Sequence, residues 1–444
     1  MKDFVKQIYN RYINGKELQA GLYTLILIFL LIRIIYIFNY GPLNNLWSDP
    51  LRHWKYGLNA ISPDPMSFND PVLFQLYTGL LAKLTLKLPL LVNFYTSILA
   101  VITAYAWYRF FRELPVSKNI ALVGFALVAI LPSWLSIYSF FMQETLMLPL
   151  LGLALYSTFR CLRKETLTSF ALMVFVWALA GLTRGICIPL AAVAVIWVIY
   201  YQQNKMQKSL VGLFILVMLL APLTYRNYQF TNSIAPHGNG MMNMLYAMSG
   251  VKKINITYVK DESGNNKKWA WWFISPSMNF KPFTPISDWQ SARKSEVRIK
   301  IDLNNAKKSW DEAFHQLDFN TEKYLFVLKE NLIFLFFGAS WPDSIQRDIP
   351  SILNWEMRWL WLPFFIVILV YAQRNWKSLN NEKLLVIMLL TWFIVQALIP
   401  LAVNEGRYRK PAEGLMITLG LCLFSVHRKQ KLLTTSASIN KRPE

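Results

Sequence analysis

The chain has 444 residues, of which 55% are hydrophobic and 15% aromatic, whereas only 16% are charged. Soluble globular proteins carry about 25% charged residues, so this composition argues against a disordered chain, a nucleic-acid-binding module and an ordinary cytosolic enzyme. The formal net charge of +21 therefore needs another explanation than nucleic acid. Three cysteines and four scattered histidines form no disulfide framework and no zinc motif.

Apolar stretches that suit a bilayer follow one another along the chain. About 20 apolar residues are needed to cross the hydrocarbon core as a helix. The predicted spans are 20–38, 90–110, 119–138, 144–160, 168–183, 186–202, 209–225, 358–373, 383–402 and 411–427. Two further stretches, 71–86 and 324–337, are too short or too amphipathic to cross and predict helices lying at the interface. We therefore expect an all-α polytopic membrane protein with about ten transmembrane helices.

Lysines and arginines in short loops orient this bundle. With a cytoplasmic amino terminus, 20 of the 46 basic residues lie in cytoplasmic segments, against six acidic ones. Cytoplasmic loops of membrane proteins are enriched in Lys and Arg, so this orientation accounts for most of the net charge. We expect both termini in the cytoplasm and a location in the cytoplasmic (inner) membrane of a bacterium.

The predicted spans divide the chain into three parts. Residues 1–226 form a transmembrane module with a long first outer loop, 39–89. Residues 227–357 form an extracytoplasmic region, whose polar stretch 252–323 predicts a small mixed subdomain because it is too long for a passive connection. Residues 358–444 form the C-terminal transmembrane helices and a cytoplasmic tail. Six tryptophans predict an aromatic belt at the outer interface: Trp269, Trp271, Trp272, Trp355, Trp359 and Trp361.

Two acids lie next to predicted spans on the outer side, where ionisable residues are costly to place and mark candidate functional positions. Asp49, ahead of Pro50, either starts a helix or supplies a carboxylate that accepts a proton or binds a cation. Glu144 either favours the dipole of the helix it begins or acts with Asp49. Together, the two carboxylates could hold a divalent metal such as Mg²⁺ or Mn²⁺.

Cations on the same side are the second set of candidates. Arg184 lies between two spans with almost no loop, where it either snorkels to the interface or contacts a phosphate. The segment from Glu405 to Pro411 places three cations against the orientation rule, for which an anionic partner is the simplest reason. Arg33, inside the first span, is expected to snorkel. The residues predicted to bind an anionic substrate are Arg184, Arg226, Arg407, Tyr408 and Arg409.

Taken in order, five segments resemble the GT-C superfamily of membrane glycosyltransferases. The chain is similar to bacterial relatives of protein O-mannosyltransferases and lipid A aminoarabinose transferases. The segments are Asp49 with Asn69 to Phe74; Pro132 to Glu144; Leu182 to Arg184; Pro222 to Asn227 with Gly240 and Asn243; and Glu405 to Arg409 with Pro411 and Glu413.

The resemblance implies a hexosyl- or pentosyltransferase that moves a sugar from a polyprenyl-phosphate carrier to an extracytoplasmic glycolipid, surface glycan or protein. It implies that Asp49 is the catalytic base or a metal ligand, that Glu144 is the second outer acid, and that Arg184 and Arg407 meet the carrier phosphate. Pro50 stands where protein mannosyltransferases have Glu, and Asn69-Asp70-Pro71 replaces their His-Pro-Pro run, which argues against a protein acceptor.

Two other functions fit a polytopic protein with outer arginines. A flippase or transporter for a lipid-linked sugar would place its ionisable groups near the bilayer midplane, where this sequence has almost none. A polysaccharide polymerase or ligase would use outer arginines and histidines without a special need for Asp49. No nucleic acid is expected as a partner.

Overall fold

The computed structural model describes residues 15–58, 70–231, 253–259, 267–272, 296–316, 321–338, 340, 342, 347–399 and 406–439. This part of the chain is mostly helical. Its first ten helices are α1 (Gly15–Asn39), α2 (Ser48–Leu58), α3 (Val72–Leu84), α4 (Pro89–Phe111), α5 (Lys118–Ile130), α6 (Pro132–Ser136), α7 (Glu144–Lys164), α8 (Leu167–Thr183), α9 (Cys187–Tyr201) and α10 (Lys205–Thr231).

A small sheet and five helices follow. The strands are β1 (Lys253–Val259), β2 (Lys267–Trp272) and β3 (Glu296–Asp302), and the helices are α11 (Ala306–His315), α12 (Thr321–Phe337), α13 (Ile349–Arg374), α14 (Glu382–Phe393) and α15 (Lys410–Ile439). Strand β1 pairs antiparallel with β2 and parallel with β3, with Lys253 opposite Trp272 and Glu296. Helix α11 packs on β3. The strands lie in the region for which the sequence predicts a mixed subdomain.

Five helices of the described residues are long and apolar enough to cross a membrane: α1, α4, α7, α10 and α13. The bent pair α5–α6 makes a sixth, whereas α3, α8 and α9 are shorter apolar helices. The protein is therefore an integral, multi-pass membrane protein. A helix lies at each of the ten predicted positions, but ten crossings are not confirmed, because several of these helices are shorter than a bilayer requires.

Arg33 binds the bend between α5 and α6. Pro132 has no N–H to continue the helix, and the two axes differ by 55°. Arg33 on α1, only 2% exposed, donates to the carbonyls of Ala129 at 2.7 Å and Trp134 at 2.9 Å. Backbone groups inside a membrane need a protein partner. The prediction that Arg33 snorkels is therefore wrong, because its guanidinium turns inward to satisfy these carbonyls.

The core joins the N-terminal helices to the last one through Trp107. This fully buried side chain of α4 lies between Gly152 of α7 and Gly414 of α15, and a Cβ on either glycine would overlap the indole. Its Nε1 donates to the carbonyl of Leu148 at 3.0 Å. Glycine is thus needed at both positions for the close approach of the ring.

The predicted aromatic belt is only partly present in the described side chains. Trp355 and Trp361 are buried in the bundle, whereas Trp359 is 46% exposed. The guanidinium of Arg358 lies 3.7 Å from the ring centroid of Trp355 and 4.8 Å from that of Trp359, in cation–π contacts with both rings. The side chains of Trp269, Trp271 and Trp272, on β2, lie outside the described residues.

Candidate functional site

Six side chains from distant parts of the sequence meet at one end of the bundle, the end that the charge pattern predicts to be extracytoplasmic. They come from the start of α2, the start of α7, the end of α8 and the short 3₁₀ turn Gly406–Arg409 before α15. We call them the outer cluster: Asp49, Arg52, Glu144, Arg184, Arg407 and Tyr408. The contacts that join them are described in turn below.

The start of α2 is bent so that it presents Asp49. Ser48 has a φ of 47°, a left-handed conformation that is uncommon outside glycine and costs free energy. Asp49 follows in the first turn, where the helix dipole favours a carboxylate. Its side chain keeps 21% of its surface exposed. Asp49 can therefore both favour the start of α2 and offer a carboxylate to a substrate, since it lies in the first turn and keeps part of its surface exposed.

Two arginines face the Asp49 carboxylate. Arg52 Nη1 donates to Oδ1 at 2.6 Å, and Arg407 Nη1 lies 3.6 Å from Oδ2. Burial by itself raises the pKa of Asp49, but the charges of Arg52 and then Arg407 outweigh burial and hold this pKa below its ordinary value. Asp49 is consequently ionised at neutral pH.

Arg52 is itself fixed from behind by Asp70. Its Nε and Nη2 donate to the two oxygens of this carboxylate at 2.9 Å each, which is the two-pronged geometry that makes such pairs strong. Asp70 is 3% exposed. Burial raises the pKa of Asp70, but the charges of Arg52 and then His53 and their hydrogen bonds hold it well below its usual range.

His53 ties this arrangement to the turn that precedes α7. Its Nδ1 donates to the carbonyl of Phe141 at 2.7 Å, and its Nε2 lies 3.1 Å from Asp70 Oδ1. Sequence reasoning missed the roles of Arg52, His53 and Asp70. One available signal was spacing, since Arg52 and His53 follow Asp49 by three and four residues and so share its helix face.

Glu144 and Arg184 form a buried ion pair. Glu144 is the first residue of α7, Arg184 follows the end of α8, and the guanidinium donates to Oε1 of the carboxylate. Arg184 also stacks on the ring of Tyr408, 4.5 Å from its centroid, and Arg407 lies 5.5 Å from the same centroid. Tyr408 therefore connects the Glu144–Arg184 pair to the Asp49–Arg407 pair.

Arg409 points away from the outer cluster. It is 1% exposed, and it donates to Glu413 Oε1 at 3.1 Å and to the carbonyls of Leu335 and Phe336 at 2.9 and 2.7 Å. These carbonyls end α12, and the last carbonyls of a helix lack intrahelical partners. The geometry thus favours a structural role for Arg409. Arg226 lies on α10, but its side chain is outside the described residues. The described residues also leave out Asn69, Gly240, Asn243 and Glu405.

Glu413 connects Arg409 to the bend between α5 and α6. Its Oε2 accepts hydrogen bonds from Ser133 Oγ at 2.6 Å and from Trp134 Nε1 at 3.1 Å. Lys410 Nζ donates to the carbonyl of Ser133 at 2.6 Å. The start of α15 is therefore anchored to α6 by charged groups, which fixes the adjoining turn that carries Arg407 and Tyr408.

The outer cluster has an excess of positive charge. With its neighbours Asp70 and Lys410, and without His53 and the Arg409–Glu413 pair, the cluster contains four cations and three carboxylates among the described residues: Arg52, Arg184, Arg407 and Lys410, and Asp49, Asp70 and Glu144. A part-buried site with unbalanced cations attracts an anion. Of the three arginines, Arg407 has the longest ion pair among the described residues.

A divalent metal held by Asp49 and Glu144 stays a prediction. The described residues contain no group of three or more His, Cys, Asp or Glu side chains that could hold a metal ion. Both predicted ligands, Asp49 and Glu144, face arginines, whose charge opposes a second cation. Glu144 Oε2 has no hydrogen-bond partner among the described residues, and it alone is not a metal site.

Comparison with known proteins supports the predicted family over part of the chain. Residues 69–225 match the family model described as dolichyl-phosphate-mannose-protein mannosyltransferase. No curated protein matches the chain. The matched segment runs from the residue before Asp70 into α10 and includes Glu144 and Arg184, but not Asp49 or Arg407. Residues 69–225 are thus similar to a family of membrane glycosyltransferases of the mannosyltransferase type, and the resemblance to the GT-C superfamily is confirmed over this part of the chain.

Proposed function

We propose that the protein transfers a hexose from a polyprenyl-phosphate carrier to a glycolipid or surface glycan on the extracytoplasmic side of the membrane. The observation that carries this proposal is the contact between Asp49 and Arg407, a part-exposed carboxylate and a part-exposed guanidinium at the rim of the bundle. A lipid carrier confines its sugar phosphate to the membrane surface, at the depth of this contact. The donor can therefore meet an acceptor there.

Arg407 is the residue proposed to bind the carrier phosphate. Arg184, the other predicted phosphate contact, is buried and neutralised by Glu144, so it supports the site through Tyr408 instead. Negative charge develops on the phosphate oxygen as the bond to the sugar breaks, and a guanidinium already in place stabilises that charge. The leaving group then needs no strong general acid.

Asp49 is the residue proposed to activate the acceptor. The hydroxyl oxygen of the acceptor attacks the anomeric carbon, the carbon–oxygen bond to the phosphate breaks, and the hydroxyl proton passes to the Asp49 carboxylate. A positioned general base contributes about 10²–10⁴-fold to such a step. A carboxylate facing two arginines is a weak base, and it becomes a stronger one when the phosphate engages Arg407.

A transporter is less well supported than an enzyme. Transporters place their coupling groups near the bilayer midplane in broken helices. The described charges of the outer cluster instead lie at one end of the bundle, and the charged residues at the helix break are paired with one another or with backbone carbonyls.

Two substitutions in the full-length protein in nanodiscs test the proposal. The assay uses undecaprenyl-phosphate sugars with a radiolabelled hexose, mannose first, and a lipid and glycan extract as acceptor. Asp49→Asn should lower kcat by at least 100-fold, because the acceptor loses its base. Arg407→Ala should raise the KM for the donor about tenfold or more, because the phosphate loses its charge-assisted contact.

Glu113→Gln is the matched control. Glu113 is a poorly exposed carboxylate paired with Arg163 at 2.7 Å beyond the far end of α4, so transfer should be unchanged. Full activity in Asp49→Asn would contradict the proposed role of this acid. Failure of the wild-type protein to transfer any of the hexoses would contradict the function itself.

A further inference from the structure

The two arginines that face Asp49 hold it in different ways. Arg52 makes a hydrogen bond of 2.6 Å to Oδ1, and its other two nitrogens are held by Asp70. Arg407 lies 3.6 Å from Oδ2, which is longer than a hydrogen bond. Arg52 therefore holds Asp49 by a direct hydrogen bond, whereas the contact between Arg407 and Asp49 is longer and is made by charge alone.

We propose that these two arginines have separate tasks: Arg407 exchanges Asp49 for the carrier phosphate, whereas Asp70, acting through Arg52, keeps Asp49 in position during the exchange. This inference rests on the proposed function and adds to it a positioning residue, Asp70, and an occupant of the phosphate site in the absence of substrate. That occupant is the carboxylate of Asp49.

The surroundings of Asp70 suit a positioning residue. It is buried, so it does not contact a substrate, and three elements converge on it: α2 through Arg52 and His53, the start of α3, and the turn before α7 through His53 and Phe141. A guanidinium held by both oxygens of a carboxylate has a fixed orientation. The third nitrogen of Arg52 therefore presents a fixed donor to Asp49.

The exchange at Arg407 follows from charge. A phosphate and a carboxylate compete for the same guanidinium, and phosphate offers more oxygens and, as the released monoester, more negative charge. When Arg407 turns to the phosphate, Asp49 loses one of its two positive neighbours. Without Arg52 the carboxylate would then be free to rotate, and with Arg52 it stays directed toward the acceptor.

Binding of undecaprenyl phosphate to the full-length protein in nanodiscs tests the exchange without any knowledge of the sugar or acceptor. Asp49→Asn should bind this probe about tenfold more tightly than the wild type, because the competing charge is removed while the side chain keeps its size. Arg407→Ala should bind it at least tenfold more weakly. Equal or weaker binding by Asp49→Asn would overturn the exchange.

Transfer kinetics test the positioning. Asp70→Asn should lower kcat 10- to 100-fold with little change in donor KM, and its affinity for undecaprenyl phosphate should stay within a factor of two of the wild type. Asp70→Glu, which keeps the charge, should recover part of kcat. A wild-type kcat in Asp70→Asn, or a loss confined to KM, would overturn the positioning role.

A second variant guards against a folding defect at this buried position. Arg52→Lys keeps a positive charge beside Asp49 but cannot hold the two-pronged contact with Asp70, so it should show the same loss of kcat. Wild-type turnover in a monodisperse Arg52→Lys protein would also overturn the positioning role. If the wild type transfers none of the sugars, the proposed function fails, whereas the binding experiment still decides whether Asp49 and phosphate compete.

Discussion

Charged side chains inside this bundle are satisfied by partners far away in the sequence. Arg33 donates to carbonyls about 100 positions further along the chain, and Glu413 accepts from Ser133 and Trp134. In both cases the partner lies at the α5–α6 bend, which Pro132 creates. Arg33 thus compensates for a local defect in helix hydrogen bonding, whereas Glu413 binds side-chain donors of the same bend.

Replacement of Arg33 by methionine should destabilise the protein without touching the outer cluster. Arg33→Met leaves the carbonyls of Ala129 and Trp134 buried and without this donor, at about 1–3 kcal/mol each. The thermal midpoint in detergent should therefore fall by several degrees. Ile32→Met, at a neighbouring part-exposed position, is the control and should leave the midpoint unchanged. An equal midpoint for both variants would contradict the role of Arg33.

Sequence reasoning at this scale predicted which charged residues lie near one another better than it predicted their contacts. Asp49, Glu144, Arg184 and Arg407 were predicted because charges beside a membrane are costly, and the structure brings all four together. It did not predict that Glu144 neutralises Arg184, because that pairing depends on how α7 and α8 pack. Asp70 is also a polar residue in the sequence, but its contact with Arg52 could not be predicted, because that contact depends on how α2 and α3 pack.

Helices α2 and α3 cross at unusually close range, and this crossing sets the position of the outer cluster. The backbone of Gly57 on α2 approaches that of Gly79 on α3 so closely that a Cβ on Gly79 would collide with the Gly57 carbonyl oxygen. Asp49 and Arg52 are carried by α2, and Asp70 lies just before α3. The two glycines therefore control the distance on which the Arg52–Asp70 contact depends.

A single methyl group at this crossing should impair both stability and transfer. Gly79→Ala forces the helices apart, and overpacking of this kind costs about 1–3 kcal/mol; because Asp70 moves with α3, kcat should fall as well. Gly21→Ala is the control, since a Cβ at Gly21 on α1 would meet no atom within 4 Å. Melting curves and transfer rates indistinguishable between the two variants would refute the importance of the crossing.

The positions of the apolar helices were predictable, because long apolar runs bounded by charges leave few alternatives in lipid. Some ends were not: α13 begins at Ile349 rather than at 358, and α15 continues to Ile439 rather than to 427. The bend at Pro132 was not predicted, although proline is a known cause of such bends. Hydropathy did indicate the short helices α8 and α9, since the predicted spans 168–183 and 186–202 agree with the observed bounds to within one residue.

The whole molecule should be oriented with the outer cluster away from the cytoplasm. Positive charge in the short loops predicts this direction, and Lys87 and Lys164, which are exposed beyond opposite ends of the bundle, can report it. In intact cells a membrane-impermeant maleimide should label Lys87→Cys and not Lys164→Cys. The native cysteines are buried, so background labelling should be low. The reverse pattern would place the outer cluster in the cytoplasm and refute an extracytoplasmic reaction.

The packing around Trp107 is completed only when the last helix, α15, has been inserted. Membrane helices are made and inserted from the amino terminus, so α4 and α7 enter the bilayer long before Gly414 has been synthesised. Until then the indole has a glycine on one side only. Helix α15 is thus the last helix to assemble. Arg407 and Tyr408 lie just before it, so they reach Asp49 and Glu144 only at this step. A half-made chain would carry Asp49 and Glu144 with Arg52 and Arg184, but without Arg407, the arginine proposed to bind the phosphate.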